Sequence, residues 1–579
     1  MLARPELSKT EWLGVISLVV VGAGLRIWLG LGGDGIYHPD EIYQLLEPAH
    51  RAAFGYGLHA WEWDYGARNW FLPGLIAGYL KTMSAVGLSE PTQYVDATRV
   101  TIALLHASTG LGVYLLARMH RVGPWVAAVG AGFFLFNPAA MYLGFRTLSE
   151  TISTPLVVFG LYFSLLHAYG DETEGSSWPL WLGMSLLGAA VLMRLQNAIF
   201  VVPLVLFWRF RGREELYADA LKVLVAWALL YGVVDWVTWG LPFQSAGAYL
   251  RFNLLMDGST YNYGAEPAYQ YVVTMISSMG LLGALTLLLP LAAWKRGTEL
   301  FACAFLFFGL HCAFPHKDLR FISGAWPLFA VLSAIGIEVI GTWLAERTDV
   351  GQQKLTWALA VLMLPSIVMG ALEVRSLTFG ELGQAETLEV GPDTSALDYQ
   401  GPVNRLLADA SRREDVCGLL LQGEWATVVG GHTYFHRDVP FFHAGNPPES
   451  PRQVNYVLAR PPHTLNSTPG EVAGEYCPGA YSVNLGGRRK VAGVGQRLLR
   501  RAAHTGGVVV VDDAPLLNRV LVPVYDAMDV PFDPHATGAL SDEVDVTFEQ
   551  VRTAIAEAFS RRFDVTPWRL DERTRRLAE

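Results

Sequence analysis

The chain has 579 residues, of which 52% are hydrophobic and 17% are charged, and its formal net charge is −10. In soluble globular proteins about a quarter of the residues are charged, so this composition excludes an ordinary soluble enzyme. The sequence also has no basic patch of the kind that indicates nucleic-acid binding. Apolar stretches in the first two-thirds of the chain approach the ~20 residues that cross a hydrocarbon layer of ~30 Å. The sequence therefore predicts a polytopic α-helical membrane protein.

About eleven membrane spans are predicted in chain order, and Trp12–Leu31 is interpreted as an uncleaved first span. The next apolar segment, Trp70–Met83, is short and interrupted by Pro and Gly, so it is interpreted as an interfacial or re-entrant helix. The other ten predicted spans are Ala97–Leu116, Val122–Tyr142, Thr151–Leu166, Trp178–Met193, Ala198–Phe210, Ala218–Trp239, Tyr271–Ala293, Glu299–Phe314, Phe321–Ile340 and Leu355–Met369.

This assignment places four basic loops on the cytosolic side, as the positive-inside rule requires. These loops are Arg118–Arg121, Arg209–Arg213, Lys295–Arg296 and Arg347–Lys354. A predicted membrane domain then covers residues 1–372, with a large outer loop at 32–96. Short β-type runs and helical patterns alternate later, which predicts a mixed α/β soluble domain over residues 373–579, also outside. Cys417 and Cys477 could form a disulfide there if that compartment is oxidising.

The predicted outer loop contains the motif His38-Pro39-Asp40-Glu41, followed by Gln44. Adjacent carboxylates suit general-base catalysis, in which a carboxylate takes the proton of a hydroxyl nucleophile and accelerates the reaction by ~10²–10⁴-fold. A proline followed by two acidic residues is equally typical of a helix start. The residues alone leave both interpretations open.

Trp61-Glu62-Trp63, with Arg68 following, lies in the same loop. Two tryptophans that flank an acid indicate a stacking platform for a sugar or an isoprenoid, with Glu62 binding hydroxyl groups. An interfacial aromatic belt is the alternative.

Two further polar motifs lie at span ends. Thr147 and Glu150 have the spacing of a capping box, which leaves nearby Arg146 as a candidate ligand for an anionic substrate. The motif His316-Lys317-Asp318-Leu319-Arg320 places three potentially cationic side chains within five residues. Such a cluster suits a phosphate clamp, and a set of snorkelling anchors is the alternative.

A metal site is the other interpretation of the polar loop. His38, Asp40, His50 and His59 are candidate ligands, but their spacing matches no HExxH-type motif. We therefore expect no metal and no other cofactor.

Together these motifs resemble the membrane mannosyltransferases of glycosyltransferase family 22, which act on glycosylphosphatidylinositol (GPI) precursors and dolichol-linked oligosaccharides. The likeness covers about residues 12–345 and rests on four motifs in order: HPDE at 38–41 with Glu47-Pro48 and His50, Trp61-Glu62-Trp63 with Arg68, RTLSE at 146–150, and HKDLRF at 316–321. The large outer domain and the short loops between spans depart from the family and suggest a prokaryotic member.

The resemblance implies a GT-C-type fold, a polyprenyl- or dolichyl-phosphate-mannose donor, and inverting transfer without a metal. It implies Asp40 as the catalytic base with Glu41 beside it. The implied donor-phosphate ligands are His316, Lys317 and Arg320, helped by Arg68 or Arg146. The residues expected to contact the sugar or the acceptor are His38, Gln44, Trp61, Glu62, Trp63 and Glu150.

The expected partners are the lipid bilayer, the polyprenyl-phosphate sugar and a glycan or glycolipid acceptor. The active site is expected to face outside in a prokaryotic plasma membrane, or the lumen in an endoplasmic reticulum membrane. Another donor sugar, such as arabinose or galactose, stays open. A transporter of lipid-linked sugars fits less well, because transporters bind substrate near the bilayer midplane and these charged groups gather at one face.

Overall fold

The computed structural model describes residues 2, 4–169, 177–256, 258–422, 428–449, 453–459, 472, 474–477, 482–485, 487–499, 502–542, 544 and 546–560. Its α-helices are α1 Lys9–Gly30, α2 Glu47–Phe54, α3 Trp61–Asp64, α4 Phe71–Ala85, α5 Pro91–Met119, α6 Pro124–Leu135, α7 Pro138–Leu143, α8 Ser149–Tyr169, α9 Trp178–Met193, α10 Ala198–Phe210, α11 Tyr217–Trp239, α12 Gln244–Leu250, α13 Gly258–Tyr263, α14 Gln270–Ala292, α15 Thr298–Ala313, α16 Trp326–Ala345, α17 Gln352–Glu373, α18 Gly401–Ser411, α19 Gly431–Tyr434, α20 Ala514–Met528 and α21 Phe548–Ser560.

Seven helical segments in the described part of the chain are long and apolar enough to cross a membrane. They are Lys9–Gly30, Pro91–Met119, Ser149–Tyr169, Glu214–Trp239, Gln270–Ala292, Leu319–Ala345 and Gln352–Ser376. Four shorter apolar helices coincide with the remaining predicted spans, namely Pro124–Leu135, Trp178–Met193, Leu195–Phe210 and Thr298–Ala313. The polytopic helical class is confirmed, whereas the total of eleven spans stays a prediction. The segment Trp70–Met83 lies in α4 from Phe71 onward, and α4 is not among the seven.

One predicted span is interrupted at a proline, and an extended arginine separates two others. The predicted span Val122–Tyr142 divides into α6 and α7 because Pro138 lacks an amide hydrogen and disfavours helical geometry in the residue before it. The Asn137 side chain caps α7 by accepting a hydrogen bond from the Ala140 amide at 3.0 Å. At the end of α9, Arg194 adopts an extended conformation (φ −151°, ψ 110°). At each break a polar residue, Asn137 or Arg194, lies between two apolar helical segments.

Small residues bring the helices of the membrane bundle close together. A Cβ atom added to Gly160 of α8 would lie 2.8 Å from Leu187 of α9, and one added to Gly130 of α6 would lie 2.8 Å from Ala334 of α16. Because lipid tails are as apolar as the helix surfaces, such close packing stabilises helix association in a membrane.

The described chain forms two compact units, Met1–Leu458 and Ala459–Glu579. The first unit holds the bundle and a small sheet of order β2-β1-β3, whose strands are β1 Leu419–Gln422, β2 Phe441–Phe442 and β3 Tyr456–Ala459. Strands β1 and β2 are parallel, with Leu419 opposite Phe441. Residues after α17 contact the loop 32–96, for example through the hydrogen bond from the Asn404 side chain to the Asp34 carbonyl at 2.7 Å, and the domain boundary at 372/373 stays a prediction. Cys417 and Cys477 are both exposed free thiols.

The second unit contains an antiparallel sheet of order β4-β5-β6, with strands β4 Ser482–Leu485, β5 Arg489–Leu499 and β6 Ala502–Val509. Its apolar core includes Tyr476, Val510 and Tyr525. Buried Lys490 pairs with Glu475 at 3.3 Å and donates to the Tyr476 carbonyl at 2.8 Å. This combination of sheet and helices agrees with the predicted α/β character of the C-terminal region.

Residues 428–437, which we call the docking segment, are fixed to α2 through the buried carboxylate of Glu47. Its Oε1 accepts hydrogen bonds from the amides of Leu58 at 2.8 Å and His432 at 3.0 Å. Its Oε2 accepts from the Thr433 amide at 2.8 Å and the Thr433 hydroxyl at 2.7 Å. Gly431 has φ +55°, and a Cβ atom there would lie 2.9 Å from Oε2 of Glu47, so the contact requires glycine.

His50, which belongs to the same motif as Glu47, also contacts the docking segment. Its Nε2 lies 2.8 Å from Nδ1 of His436, whose Nδ1 is also 3.0 Å from the Tyr56 hydroxyl. Burial lowers the pKa of His50 to about 3, and the neighbouring His436 adds to this effect. The ring is therefore neutral at pH 7. Glu47 and His50 thus hold together two segments that are almost 400 residues apart.

Candidate functional site

A cavity of about 320 Å³ lies beside the loop 32–96, and residues from several elements line it. Nine of the predicted site residues line it: His38, Asp40, Gln44, Trp61, Glu62, Arg68, Glu150, His316 and Arg320. The structure thus brings together groups that are up to 282 positions apart, from four separate motifs.

Asp40 lies directly before a π-helical turn, Glu41–Leu46, of a kind that often occurs at functional sites. Its Oδ2 accepts a hydrogen bond from Nη2 of Arg320 at 2.6 Å, and its Oδ1 lies 3.3 Å from Nδ1 of His38. Burial by itself would raise the pKa of Asp40, but Arg320 and then His38 outweigh it and hold this pKa well below its usual range. Asp40 is therefore ionised, and its side chain remains 22% exposed to the cavity.

Arg320 belongs to a short 3₁₀ segment, Leu319–Ala325, at the start of the span that contains α16. Its Nε donates to Oδ2 of Asp318 at 2.7 Å, and Asp318 in turn accepts from the Tyr37 hydroxyl at 2.6 Å. Oε1 of Glu150 lies 4.0 Å from the same Nε. Three carboxylates therefore surround the guanidinium, which fixes it in place.

Glu62 and Arg68 form a second ion pair on the cavity wall. Nη2 of Arg68 donates to Oε1 of Glu62 at 2.6 Å, and Nε2 of Gln44 donates to the same oxygen at 3.0 Å. Burial raises the pKa of Glu62. Arg68 opposes this shift only in part, and the negative charge of Asp40 adds to it. Asp40 and Glu62 thus have pKa values displaced in opposite directions.

An apolar cavity of about 270 Å³ adjoins the polar one. Its lining includes Ile199 of α10, Leu250 of α12 and Leu310 of α15. The two cavities share the side chains Gln196, Tyr249, Asn253, Ser259, His316 and Phe321. An amphiphile could therefore place a charged group among the arginines and a hydrocarbon chain among the apolar residues.

A model of the Alg9-like mannosyltransferase family matches residues 17–413, which is more than half of the chain. The chain belongs to the Alg9-like mannosyltransferase family. The resemblance to family 22 is confirmed, and the protein is a mannosyltransferase integral to a membrane.

Individual relatives of this mannosyltransferase agree with the family match. GPI mannosyltransferase 3 of Yarrowia lipolytica is 26% identical over 406 residues, which cover 67% of this chain and 73% of that one. GPI alpha-1,2-mannosyltransferase 3 of Bos taurus is 25% identical over 465 residues, covering 78% of this chain and 77% of that one.

Among solved structures, ArnT from Cupriavidus metallidurans bound to undecaprenyl phosphate is 13% identical with a TM-score of 0.47, and the match covers 78% of this chain and 90% of that chain.

Four predicted site residues of the mannosyltransferase lie outside the polar cavity. Glu41 is buried and accepts from the Tyr37 amide at 2.5 Å, while Nη1 of Arg146 is 3.4 Å from it. Trp63 is buried and donates from its indole to the Tyr43 carbonyl at 2.8 Å.

The fourth, Lys317, donates from Nζ to the backbone carbonyls of Cys312, at 3.0 Å, and Phe314. Its neighbour His316 does line the cavity, but burial lowers the pKa of that ring, so it is mainly neutral at pH 7. The predicted clamp of three cations therefore contributes one permanent cation, Arg320, to the cavity.

Several cavity residues were not among the predicted site residues, and the most polar of them is Arg194. Its position in a gap between two short apolar segments, on the side assigned as outer, was the signal in the sequence. The aromatic residues Tyr249, Phe252 and Tyr263 come from the region after α11 that carries no charged motif. Nothing in their local pattern distinguishes them from interfacial aromatics.

The four candidate metal ligands do not converge. His38 contacts Asp40, whereas His50 contacts His436, and His59 lies 3.2 Å from Asp64. In the portion of the chain that the structure describes, no group of three or more His, Cys, Asp or Glu side chains could hold a metal ion. Independence from metals stays a prediction.

The opposite pKa shifts predict the acid side of the pH–rate profile. As pH falls, Glu62 takes up a proton at a higher pH than an ordinary glutamate, whereas Asp40 stays ionised. Protonation breaks the Glu62–Arg68 ion pair, so kcat/KM is expected to fall first with Glu62. In Glu62→Gln the acid limb of kcat/KM is expected to move to lower pH. An unchanged limb in this variant would assign the ionisation to another group.

Proposed function

We propose that this mannosyltransferase transfers mannose from a polyprenyl-phosphate-mannose donor to a hydroxyl of a glycolipid or glycan acceptor, with inversion, at the non-cytosolic membrane face. The observation that carries the proposal is the ionised Asp40 beside fixed guanidinium groups, in a polar cavity that adjoins an apolar one. The polar cavity suits a sugar phosphate, and the apolar cavity suits the first isoprene units. The names of the two relatives favour a glycolipid acceptor.

The proposed step is a single displacement at the anomeric carbon. The acceptor oxygen forms a bond to that carbon while the bond from the carbon to the phosphate oxygen breaks, and lipid phosphate leaves. Asp40 takes the proton of the acceptor hydroxyl. Arg320 and Arg68 neutralise the negative charge that grows on the phosphate. One displacement inverts the anomeric configuration.

The ion pair between Asp40 and Arg320 connects donor binding to basicity. Arg320 holds the pKa of Asp40 well below its usual range, which makes the carboxylate a weak base in the empty cavity. A donor phosphate competes for the same guanidinium, and the pKa of Asp40 then rises. We therefore infer that Asp40 becomes an effective base only when donor is bound.

The experiment is transfer by the purified protein from radiolabelled polyprenyl-phosphate-mannose into extracted membrane lipids and glycans. Polyprenyl-phosphate-arabinose, polyprenyl-phosphate-galactose and GDP-mannose are assayed in parallel. Transfer from the mannose lipid alone supports the proposal, and anomeric analysis of the product tests inversion. Transfer from only another lipid-linked sugar would replace the proposed sugar. Transfer from only GDP-mannose would overturn the lipid donor.

The apolar cavity gives a prediction about donor affinity. Ile199→Trp is expected to fill part of that cavity and raise the KM for the lipid donor by about 10-fold, since burial of one large apolar group is worth about 1.5–3 kcal/mol. Val202→Trp is the matched control, because Val202 lies on the same helix but is exposed. Equal KM values for the two variants would place the hydrocarbon chain elsewhere.

A further inference from the structure

We propose that Arg194 binds the phosphate group of the donor, and that Glu150 is the carboxylate that holds Arg194 while the cavity is empty. The proposal rests on the proposed function for the nature of the ligand, and it assigns a binding residue that none of the four sequence motifs contains. It makes Arg194 a third guanidinium of the site, beside Arg320 and Arg68.

The backbone places Arg194 at the cavity. Helix α9 ends at Met193, Arg194 is extended, and a short 3₁₀ turn, Leu195–Asn197, precedes α10. The Asn197 side chain stabilises this break by donating to the Ala190 carbonyl at 2.9 Å. The break therefore directs a cationic side chain out of an otherwise apolar helical hairpin and into the polar cavity.

The contacts of the Arg194 guanidinium leave one of its nitrogens, Nη2, available to a ligand. Nη1 of Arg194 pairs with Oε1 of Glu150, and the group lies 5.4 Å from the centre of the Phe321 ring. Nη2 is buried and has no hydrogen-bond partner among the described residues. The whole side chain is only 8% exposed. A buried N–H of a cation without an acceptor is costly, and an anionic oxygen in the cavity satisfies both its hydrogen bond and its charge.

The other two cavity arginines differ from Arg194 in their surroundings. Arg320 lies among Asp40, Asp318 and Glu150, and Arg68 is 29% exposed and donates from two nitrogens to one oxygen of Glu62, at 2.6 and 3.3 Å. Arg194 pairs with Glu150 and has a buried Nη2 without an acceptor among the described residues. Its chain neighbours Leu195 and Gln196 also line the apolar cavity. A phosphate at the junction of the two cavities therefore meets Arg194 at the point where a hydrocarbon chain begins.

Phosphate of this kind could belong to a lipid or to free inorganic phosphate, and the test separates the two. Equilibrium binding of radiolabelled farnesyl phosphate to the purified full-length protein is measured, so that no turnover is required. Unlabelled farnesyl phosphate, farnesol and inorganic phosphate serve as competitors. The variants are Arg194→Gln, Arg194→Lys and Glu150→Gln, and Arg347→Gln is the control because Arg347 is an exposed arginine after α16.

Arg194→Gln is expected to weaken farnesyl phosphate binding by about 10- to 100-fold, which is the range for loss of a charge-assisted hydrogen bond. Farnesol competition is expected to change by less than about 2-fold. Arg194→Lys is expected to be intermediate, since lysine keeps the charge but not the planar donor geometry. Glu150→Gln is expected to tighten binding several-fold, because a competing carboxylate is removed.

Distinct outcomes overturn distinct statements. If the wild type binds farnesol as well as farnesyl phosphate, the proposed lipid-phosphate donor fails. If the wild type prefers the phosphate, and folded Arg194→Gln and Arg194→Lys keep that full preference, the role of Arg194 fails while the proposed function survives. Displacement by inorganic phosphate at equal concentration would show a site for the free anion rather than a lipid phosphate. Weaker binding by folded Glu150→Gln would overturn the competing role of Glu150.

Discussion

Replacing Asp40 by Asn is expected to reduce mannose transfer by about 10²–10⁴-fold, the usual contribution of a general base. The amide keeps the size of the carboxyl group but cannot take the acceptor proton. Arg320 retains Asp318 as a partner in this variant, so the fold is expected to survive. The measurement is the initial rate of transfer at saturating donor, with size-exclusion chromatography and thermal unfolding as checks of folding.

Three further carboxylates in the same loop make this test specific. Asp64→Asn is the matched control, since Asp64 is exposed and forms an ion pair with His59. Glu41→Gln is expected to lower stability more than kcat, because Glu41 is buried against Tyr37 and Arg146. A full rate in Asp40→Asn with a collapsed rate in Glu62→Gln would transfer the base to Glu62, whose raised pKa suits that role.

Glu47→Ala is expected to destabilise the first unit by about 3–5 kcal/mol and to release the docking segment. Each hydrogen bond to a charged group contributes about 1.5–3 kcal/mol, and the contributions of neighbouring bonds are not fully additive. The substitution leaves three backbone amides and one hydroxyl without their buried acceptor. The measurement is the midpoint of thermal unfolding in detergent, together with protease cleavage within residues 428–437.

Glu346→Ala supplies the comparison for that loss, because Glu346 is exposed and surface ion pairs contribute little. Glu47→Gln keeps one acceptor oxygen and is expected to fall between the wild type and Glu47→Ala. Unchanged protease resistance in folded Glu47→Ala would show that other contacts suffice to hold the docking segment. The hydrogen bond from the Tyr43 hydroxyl to the Val429 carbonyl, at 3.0 Å, would be the first of these to test.

The membrane class and the order of the motifs could be predicted from the sequence because both depend only on local residue patterns. Runs of apolar residues report on lipid exposure wherever they fold, and the position of Trp70–Met83 in a separate short helix also followed from its length. The division between units was not predictable in this way. Residues after α17 look like an independent domain in composition, but Glu47 and His50 bind part of them to α2.

Within the candidate site, the sequence identified which residue types take part but not in which direction each side chain points. Asp40 and Glu41 are adjacent, yet the first faces the cavity and the second faces Arg146, because successive side chains on a helical turn diverge. His316 and Lys317 also diverge, in the loop between α15 and the 3₁₀ segment: His316 lines the cavity and Lys317 donates to backbone carbonyls. Only the tertiary structure shows which member of each pair lines the cavity.

Arg194 shows the complementary limit of the sequence. Its charge was visible, but its partner Glu150 lies in a motif whose capping-box spacing already had a sufficient local explanation. Because the capping-box spacing already explained Glu150, the sequence offered no reason to expect its ion pair with Arg194.

The pairing of each cavity arginine with a carboxylate has a consequence for turnover. Asp40, Glu62 and Glu150 make the wall close to electroneutral when nothing is bound. With the proposed donor, the lipid phosphate that remains after transfer would compete with these three resident anions for the same guanidinium groups. Its departure would restore all three ion pairs at once and leave no uncompensated cation in a medium of low dielectric constant. The carboxylates of the wall would therefore compete with the spent carrier, which would limit product inhibition and clear the cavity for the next donor.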